Sequence, residues 1–241
     1  MLKSYLHSIY ANALILNDDL VIQAARDFGP RKVVLDVGCW DGEKSTPFFD
    51  AIGATERLGI EPVESAVKDA EKAGIKVSGI AADRDVWPWK DNSIDCIVSN
   101  QVVEHLSNLD HYFSEAARVL KPGGILISST NNLASWHNIF SLLFAWAPFD
   151  LTNSSRVQGG IGNPLALHKG EQDDRGESWT HKCIYTARWL FEWQQVYKLK
   201  RVKLYTAGYH PFPAKVGQYL QRHAAFIITV TEKESLPKSS K

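Results

Sequence analysis

VLDVGCWDGEKS, residues 34–45, is the stretch that decides the fold of this chain. The apolar residues that run up to Val37 are typical of a buried strand, and Gly38 and Gly42 then indicate a tight turn. A helix is expected to follow Gly42. A turn between a strand and the positive end of a helix is suited to a nucleotide-like ligand. Trp40 is the unusual residue, because glycine is the common choice where backbone approaches a ligand closely.

The composition is that of an ordinary globular protein. The 241 residues suit one sizeable domain, and 44% of them are hydrophobic while 22% are charged. Lys and Arg together number 27, as do Asp and Glu, so the net charge is zero. This balance argues against a dedicated nucleic-acid binder, and no nucleic-acid partner is expected.

The cysteines and the N-terminal segment bear on the compartment. Cys39, Cys96 and Cys183 are widely spaced and form no C-x-x-C pair, so neither a disulfide framework nor a zinc site is expected. Segment 1–14 has no signal-peptide pattern, and the most apolar run, 139–149, is shorter than the roughly 20 residues that span a bilayer. We therefore expect a protein of the reducing cytoplasm with no transmembrane segment.

Strands alternate with helices through the first half of the chain. Strands are predicted at 32–37, 57–62, 75–83, 93–100, 125–130, 201–208 and 224–232. Helices are predicted at 17–28, 64–73 and 109–120, after Gly42 and near Thr186. We expect Asn17 to cap the first of these helices. The alternation predicts right-handed crossovers and a doubly wound, mostly parallel α/β sheet.

Polar or glycine residues follow the predicted strands at the points where ligands bind in such sheets. Gly38, Glu61, Asp83 and Asn100 each come at or just past the end of a strand. The carboxyl ends of parallel strands share one edge of the sheet, so these positions are expected to line a single binding crevice.

Two common nucleotide loops fit the turn poorly. The dinucleotide fingerprint G-x-G-x-x-G would need glycines where Trp40 and Glu43 stand, and an indole there would obstruct a pyrophosphate. The phosphate loop G-x-x-x-x-G-K-[ST] is matched at Lys44 and Ser45, but Glu43 replaces its glycine and would repel a triphosphate.

A third pattern, D-x-G-x-x-x-G, is complete in Asp36, Gly38 and Gly42, and further motifs follow it in order. They are Glu61 in GIEP, Asp83 after the third strand, VWPWKDNSIDCIVS at 86–99, QVVEH at 101–105 and RVLKPGG at 118–124. With these motifs the chain resembles the class I S-adenosylmethionine-dependent methyltransferases, of the small-molecule type with a methyltransferase domain 11 or 23. The resemblance covers Val34 to about Thr130. It implies a Rossmann-like sheet with an antiparallel last strand, and a transferase that uses S-adenosyl-L-methionine.

The resemblance also implies which residues bind the cofactor. Glu61 is expected to accept hydrogen bonds from the ribose hydroxyls, and Asp83 from the adenine amino group, with backbone contact from Ala82. The full expected set is Asp36, Gly38, Cys39, Trp40, Gly42, Glu61, Pro62, Ala82, Asp83, Asn100 and Gln101. Trp40 departs from the family, which has glycine at that position. Its indole either covers the methionyl end of the cofactor, points away from the loop, or simply packs.

His105 is the candidate catalytic base, because it follows the fourth strand near the place where the family holds the methyl group. The alternative is that Glu104 and His105 only tie the start of a helix to the sheet. Some relatives bind a metal through E-x-x-E-H. Here Gln101 replaces the first glutamate, which weakens a site for a hard cation, although His137 or His181 could complete a set. We expect no metal.

We expect the chain to divide into five parts. They are an N-terminal helical segment at 1–30, a cofactor-binding core at 31–132, a lid insertion for the acceptor at 133–180, a completion of the sheet at 181–232 and a tail at 233–241. A long polar, glycine-rich stretch in a compact domain is typical of a functional lid. The residues expected to contact the acceptor are Trp136, His137, His181, Tyr209 and His210.

The predicted function is methylation, by O-methyl transfer, of a small-molecule acceptor that contains a sugar or is linked to a lipid. A lipid-linked acceptor would bring the protein into peripheral contact with a membrane. Two alternatives stay open. A module that binds the cofactor without turnover would explain Trp40 and Gln101. An RNA methyltransferase would need a basic patch, whereas the lysines and arginines are dispersed. The sequence leaves the oligomeric state open.

Overall fold

The computed structural model describes residues 2–151, 154, 156, 161–166 and 180–235. The second half of the predicted lid falls largely outside these residues. The strands are β1 (Val33–Val37), β2 (Glu56–Ile60), β3 (Lys76–Ser78), β4 (Ile94–Asn100), β5 (Leu120–Asn131), β6 (Leu199–Ala207) and β7 (Phe226–Lys233). The α-helices are α1 (Leu2–Asp27), α2 (Ser45–Ile52), α3 (Glu64–Lys72), α4 (Leu109–Val119), α5 (Trp136–Leu143), α6 (Ala187–Val196) and α7 (Val216–Tyr219). Short 3-10 turns lie at Val103–His105 and Gln221–His223.

The strands form one sheet in the order β3-β2-β1-β4-β5-β7-β6. β1 pairs in parallel with β2 and β4, and β4 pairs in parallel with β5. β7 runs antiparallel to both of its neighbours, β5 and β6. The predicted Rossmann-like sheet, mostly parallel with an antiparallel last strand, is confirmed. The chain order reverses between β1 and β4, which is where ligands bind in such sheets.

The sheet is buried on both faces. Val34 belongs to one apolar cluster with α1 and α2, whereas the next residue, Leu35, belongs to a second cluster with α4 and α6. Side chains of a strand alternate between faces, so continuous apolar runs such as that of β1 are typical of a sheet covered by helices on both sides. Within the described ranges, no helix has both the length and the apolar character needed to cross a bilayer.

The first helix is longer than predicted. α1 begins at Leu2, so Asn17 is an interior residue and the prediction that it caps the helix is wrong. The side chain of Asn17 is fully buried and bonds residues of the sheet instead. An Asn followed by two Asp residues is typical of a helix start, but here a tertiary contact determines the choice of residue.

β3 is shorter than the predicted strand at 75–83. It ends at Ser78, and the chain then turns through Ile80, whose N–H donates to the Ser78 carbonyl oxygen at 2.9 Å. A side-chain oxygen of Asp85 accepts from the N–H of Ala81 at 2.8 Å and fixes the following turn. Asp83 therefore lies in a turn beyond β3 rather than at the end of a strand.

Candidate functional site

The turn after β1 needs glycine at both of its glycine positions. Gly38 has φ 78° and Gly42 has φ 83°, in the left-handed region that side chains disfavour. A Cβ atom on Gly38 would lie 2.5 Å from Cγ2 of Val102, and one on Gly42 would lie 2.8 Å from Cδ1 of Ile75. The turn is therefore packed closely against the segment after β4 and against the end of α3.

Trp40 adopts a left-handed conformation that is unusual for tryptophan, with φ 45°. Its N–H donates to Oε2 of Glu61 at 3.2 Å, and its side chain is 36% exposed. The indole thus lies at the protein surface beside the turn rather than in the core. Cys39 beside it is buried, and burial raises the pKa of its thiol, so its side chain packs as a small apolar group.

Glu61 is held at the end of β2 by backbone donors. In addition to the Trp40 bond, Oε1 accepts from the N–H of Val63 at 2.9 Å. The residue is 5% exposed, and burial raises the pKa of its carboxyl, although both backbone bonds oppose the shift. Each carboxylate oxygen can accept more than one hydrogen bond, so Glu61 keeps capacity for two hydroxyl donors. Pro62, the next residue of the motif, is exposed.

Asp36 stabilises the turn after β1 through a side-chain hydrogen bond. Its Oδ2 accepts from the Ser45 hydroxyl at 2.5 Å, which links the end of β1 to the first residue of α2. Burial raises the pKa of Asp36 to about 8, and the Ser45 bond only partly opposes this. Asp36 is therefore placed to shape the turn rather than to contact a ligand in the open.

Asp83 and Ala82 come from the turn after β3. Oδ2 of Asp83 accepts from the N–H of Ser107 at 2.7 Å and so ties this turn to the segment after β4. The carbonyl oxygen of Ala82 accepts from Nε1 of Trp87 at 3.1 Å. Trp87 is 1% exposed, so it belongs to the core beneath the turn.

Asn100 and Gln101 are tied to their neighbours. Oδ1 of Asn100 accepts from Nδ2 of Asn17 at 3.0 Å, and its Nδ2 donates to Oδ1 of Asp18 at 2.9 Å. Gln101 has φ 57° and donates from Nε2 to the hydroxyl of Ser129 at 3.0 Å. Ser129 in turn donates to Oδ1 of Asn17 at 2.7 Å. Helix α1 is thereby bonded across the carboxyl edge of β4 and β5.

A second group of side chains lies beyond β4. Glu104 is fully buried, and its Oε2 accepts from the hydroxyl of Thr130 at 2.8 Å. Its Oε1 has no hydrogen-bond partner within the described part of the chain. Nδ1 of His105 donates to the carbonyl oxygen of Thr180 at 3.1 Å, and the rings of His105 and His181 lie 4.8 Å apart. Burial lowers the pKa of His105, so its imidazole is neutral near pH 7 and can accept a proton.

Asp150 connects the remaining histidines. Its backbone carbonyl oxygen accepts from Nδ1 of His181 at 2.6 Å, and its Oδ2 lies 2.8 Å from Nε2 of His137. Burial would raise the pKa of Asp150, but His137 and Asn138 outweigh it and hold that pKa below its usual value. The rings of His137 and His210 lie 4.9 Å apart. Burial lowers the pKa of His210 to about 4, with the charge of His137 contributing.

The predicted acceptor residues are therefore brought together. His105, His181, His137 and His210 follow one another through contacts that run along one side of the carboxyl edge. Trp136 and Tyr209 bond each other, with Nε1 of Trp136 donating to the Tyr209 hydroxyl at 2.6 Å.

Of the two histidines that could complete a metal-binding set, the structure selects one. Glu104, His105 and His181 each offer a ligand atom, and these atoms lie within 4.8 Å of one another. Gln101 is directed to Ser129 instead. The arrangement can accommodate a cation, and the expectation that the protein uses none stays a prediction.

Comparison with known proteins identifies the central part of the chain. The family model described as a methyltransferase domain matches residues 35–128. Residues 35–128 are a methyltransferase domain. The match covers the turn, Glu61, Asp83 and the segment after β4, and it confirms the resemblance to the class I S-adenosylmethionine-dependent methyltransferases. The cofactor that such a methyltransferase domain implies is S-adenosylmethionine.

Curated relatives and solved structures agree with this domain. The chain is 33% identical over 103 residues to a ubiquinone biosynthesis O-methyltransferase of Agrobacterium fabrum, a match that covers 41% of this chain and 40% of that one. It is 30% identical over 134 residues to a malonyl-[acyl-carrier protein] O-methyltransferase of Methylococcus capsulatus, covering 54% and 48%. The chain thus spans less than half the length of these relatives. An S-adenosylmethionine-dependent methyltransferase of Thermotoga maritima has the same fold, with a TM-score of 0.59 at 16% identity over 92% of this chain and 91% of the other.

The residues of the methyltransferase domain fit S-adenosylmethionine. The molecule carries hydroxyl and amino donors and no phosphate, and Glu61 and Asp83 supply buried carboxylates as acceptors. The turn at Gly38 has no room for a Cβ atom and exposes backbone next to Glu61. One carboxylate at the end of β2 and another in the turn beyond β3 suit a nucleoside better than a triphosphate.

Sequence patterns missed several residues of the site. Asn17 and Asp18 reach the carboxyl edge from α1, and Thr130 and Asp150 bond the acceptor-side residues. Tyr10, also from α1, is partly buried near Asp150 and Glu104, and desolvation raises its pKa to about 12. One signal was available: Asp150 is the acidic residue that ends a run without charged residues, 133–149.

Proposed function

We propose that this protein is a methyltransferase that moves the methyl group of S-adenosylmethionine to a hydroxyl of a small-molecule acceptor in the cytoplasm. The observation that carries the proposal is the placement of two different groups at one sheet edge. Buried carboxylates suited to a nucleoside, Glu61 and Asp83, lie on one side, and a cluster of histidines lies on the other. Both curated relatives described above are O-methyltransferases, which supports oxygen as the methylated atom.

Each side has its own task. S-adenosylmethionine, when bound, supplies a methyl group from its positively charged sulfonium, and the sulfur becomes a neutral thioether when the bond between the acceptor oxygen and the methyl carbon forms. Glu61, Asp83 and the turn at Gly38 hold and orient the nucleoside part. His105 takes the proton that the acceptor hydroxyl gives up, because burial keeps it neutral and Thr180 fixes its tautomer. A carbonyl oxygen only accepts, so Nδ1 of His105 carries hydrogen and Nε2 carries the lone pair.

The acceptor class follows from the surroundings of the histidines. Trp136, His137, Tyr209 and His210 combine aromatic surface with hydrogen-bonding groups. A ring-bearing or sugar-containing acceptor, or one linked to a lipid, matches this mixture. Aromatic rings pack on sugar faces or lipid chains, and imidazoles bond hydroxyls.

A methyl-transfer assay tests the proposal. The full chain is incubated with S-adenosylmethionine labelled in its methyl group, either with RNA or with small-molecule acceptors, which are nucleotide sugars, lipid-linked sugars and phenols. We expect label in at least one of these acceptors and equimolar S-adenosylhomocysteine. Label in RNA only, or cofactor binding without transfer to any hydroxyl, would favour the alternatives of an RNA methyltransferase or a binding module.

A further inference from the structure

Helix α5 buries polar side chains and exposes apolar ones. Asn138 and Ser141 are fully buried, whereas Phe140, Leu142 and Leu143 are 44%, 53% and 78% exposed. A surface helix ordinarily buries its apolar stripe and exposes its polar one. The exposed side of α5 is therefore suited to contact with an apolar partner or medium.

The inward side of α5 explains why its polar residues are buried. Nδ2 of Asn138 donates to the carbonyl oxygen of Asn132 at 3.1 Å and to Oδ2 of Asp150 at 2.8 Å. The next residue toward the N-terminus, His137, bonds the same carboxylate. These bonds hold α5 in its orientation, so its apolar side cannot turn inward without breaking the acceptor-side network.

The apolar face continues into the turn after α5. The rings of Phe140 and Phe144 lie 4.9 Å apart, and those of Phe144 and Trp146 lie 5.2 Å apart in a stacked arrangement. Phe144 is 55% exposed. Clustered exposed aromatic and aliphatic groups of this kind mark interaction sites rather than ordinary surface.

A second segment lies beside α5 and also exposes apolar side chains. Phe212, Tyr219 and Leu220 are 56%, 84% and 52% exposed. Their segment is joined to α5 by Trp136, whose ring lies 4.4 Å from that of His223 and whose Nε1 bonds the Tyr209 hydroxyl. We call the exposed side of 136–146 and 209–223 the apolar face.

The charged residues within the two segments of the apolar face have one sign. Charged residues make up 22% of the chain, yet 133–149 contains no Asp, Glu, Lys or Arg. In 208–223 the charged residues are Lys215 and Arg222, and both are exposed. Apolar and aromatic groups flanked by basic residues are the combination that binds an anionic lipid surface. A second copy docked symmetrically would bring the same basic residues together and is disfavoured by their repulsion.

We propose that the apolar face docks on an anionic lipid bilayer, with Leu143 and Phe144 entering the headgroup boundary and Lys215 and Arg222 contacting lipid phosphates. The inner side of the same segments carries His137 and Tyr209, so docking would place the acceptor side next to the bilayer. The inference rests on the proposed function in one respect, which is that a lipid-linked acceptor would reach the histidines from the membrane.

Vesicle sedimentation with the full chain tests the docking. Phosphatidylcholine vesicles are compared with vesicles that also contain phosphatidylglycerol, at low and at physiological salt. We expect binding to the anionic vesicles, weaker binding in salt, and little binding to phosphatidylcholine alone. The double variant Leu143→Ser, Phe144→Ser should bind about tenfold more weakly or worse, and Lys215→Glu with Arg222→Glu should lose the preference for anionic lipid.

Matched variants elsewhere on the surface serve as controls. Val196→Ser changes an apolar residue that is 69% exposed on α6, and Lys68→Glu reverses a charge whose side chain is 64% exposed on α3. Both should bind like the unchanged protein. Absence of vesicle binding, or equal binding by the Leu143 and Phe144 variant, would overturn the proposal, as would a dimer that this variant dissociates. S-adenosylhomocysteine binding is measured separately, so a failure of docking is distinguished from a failure of the proposed function.

Discussion

Nε2 of His137 lies 2.8 Å from Oδ2 of Asp150, and this pair ties the start of α5 to the segment that follows the helix. A histidine oriented by a carboxylate is a common arrangement for a general base, which makes His137 a second candidate for the catalytic base. His105 has a backbone carbonyl as its partner instead. The two histidines can be separated by experiment.

The change His105→Gln should lower turnover by about 10²–10⁴-fold, the range that general-base catalysis contributes, without changing the affinity for S-adenosylhomocysteine. His137→Gln keeps a hydrogen-bonding group for Asp150 and should lower turnover less. Steady-state kinetics on an acceptor from the transfer assay, with thermal unfolding of each variant, provide the measurement. A larger loss for His137→Gln would assign the base to His137.

Chelation distinguishes a base from a metal ligand at the same position. Glu104, His105 and His181 offer ligand atoms within 4.8 Å, so a cation there would also explain a loss of activity in His105→Gln. We expect chelator treatment to leave turnover unchanged. Activity that chelation abolishes and added divalent cation restores would show that His105 is a ligand.

Asp36 should make the protein less stable as the pH rises. Burial raises the pKa of Asp36 from 3.8 to about 8, so the folded state holds this proton more tightly than the unfolded state. Its contribution to stability is therefore complete below the unfolded pKa and is lost as the pH rises through about 8. In Asp36→Asn, the free energy of unfolding should fall less between about pH 5 and pH 8 than in the unchanged protein.

Urea unfolding across that pH range is the measurement, and Asp19→Asn, on the exposed side of α1, is the control. The control should follow the unchanged protein. An identical pH dependence in Asp36→Asn and the unchanged protein would show that Asp36 is not protonated preferentially in the folded state.

Asn17 should be a stability determinant although it lies in no motif. Its side chain is fully buried and bonds both Asn100 and Ser129. Asn17→Ala leaves these partners short of a bond and should lower the free energy of unfolding by about 1–3 kcal/mol. Asn12→Ala, on the exposed surface of the same helix, should change it little. Equal unfolding midpoints for the two variants would contradict this role.

Asn17 also shows where sequence patterns stop being informative. The glycines at 38 and 42 could be predicted to form a turn because their local backbone conformation demands glycine. The alternation of strands and helices, and hence the sheet, was predictable from residue periodicity alone. Local sequence predicts a helix cap at Asn17, whereas its actual role is a contact with residues more than 80 positions away, which local propensity does not encode.

The proposed acceptor side was predictable in its residue types but not in its pairing. His105, His137, His181 and His210 were singled out, whereas Asp150, which bonds two of them, was not. The role of Asp150 depends on the orientation of α5. The usual rule that a helix buries its apolar side predicts the opposite of the orientation that the structure has.

Binding of the demethylated cofactor tests the central claim most directly. Isothermal titration of the full chain with S-adenosylhomocysteine should show one molecule bound per chain. Glu61→Ala should weaken binding by roughly 1–3 kcal/mol, because buried ribose hydroxyls lose their acceptor. Glu64→Ala removes a carboxylate at the start of α3, whose side chain is 86% exposed, and should leave the affinity unchanged. Absence of binding to the unchanged protein, or equal affinity in Glu61→Ala, would contradict a cofactor site at this edge.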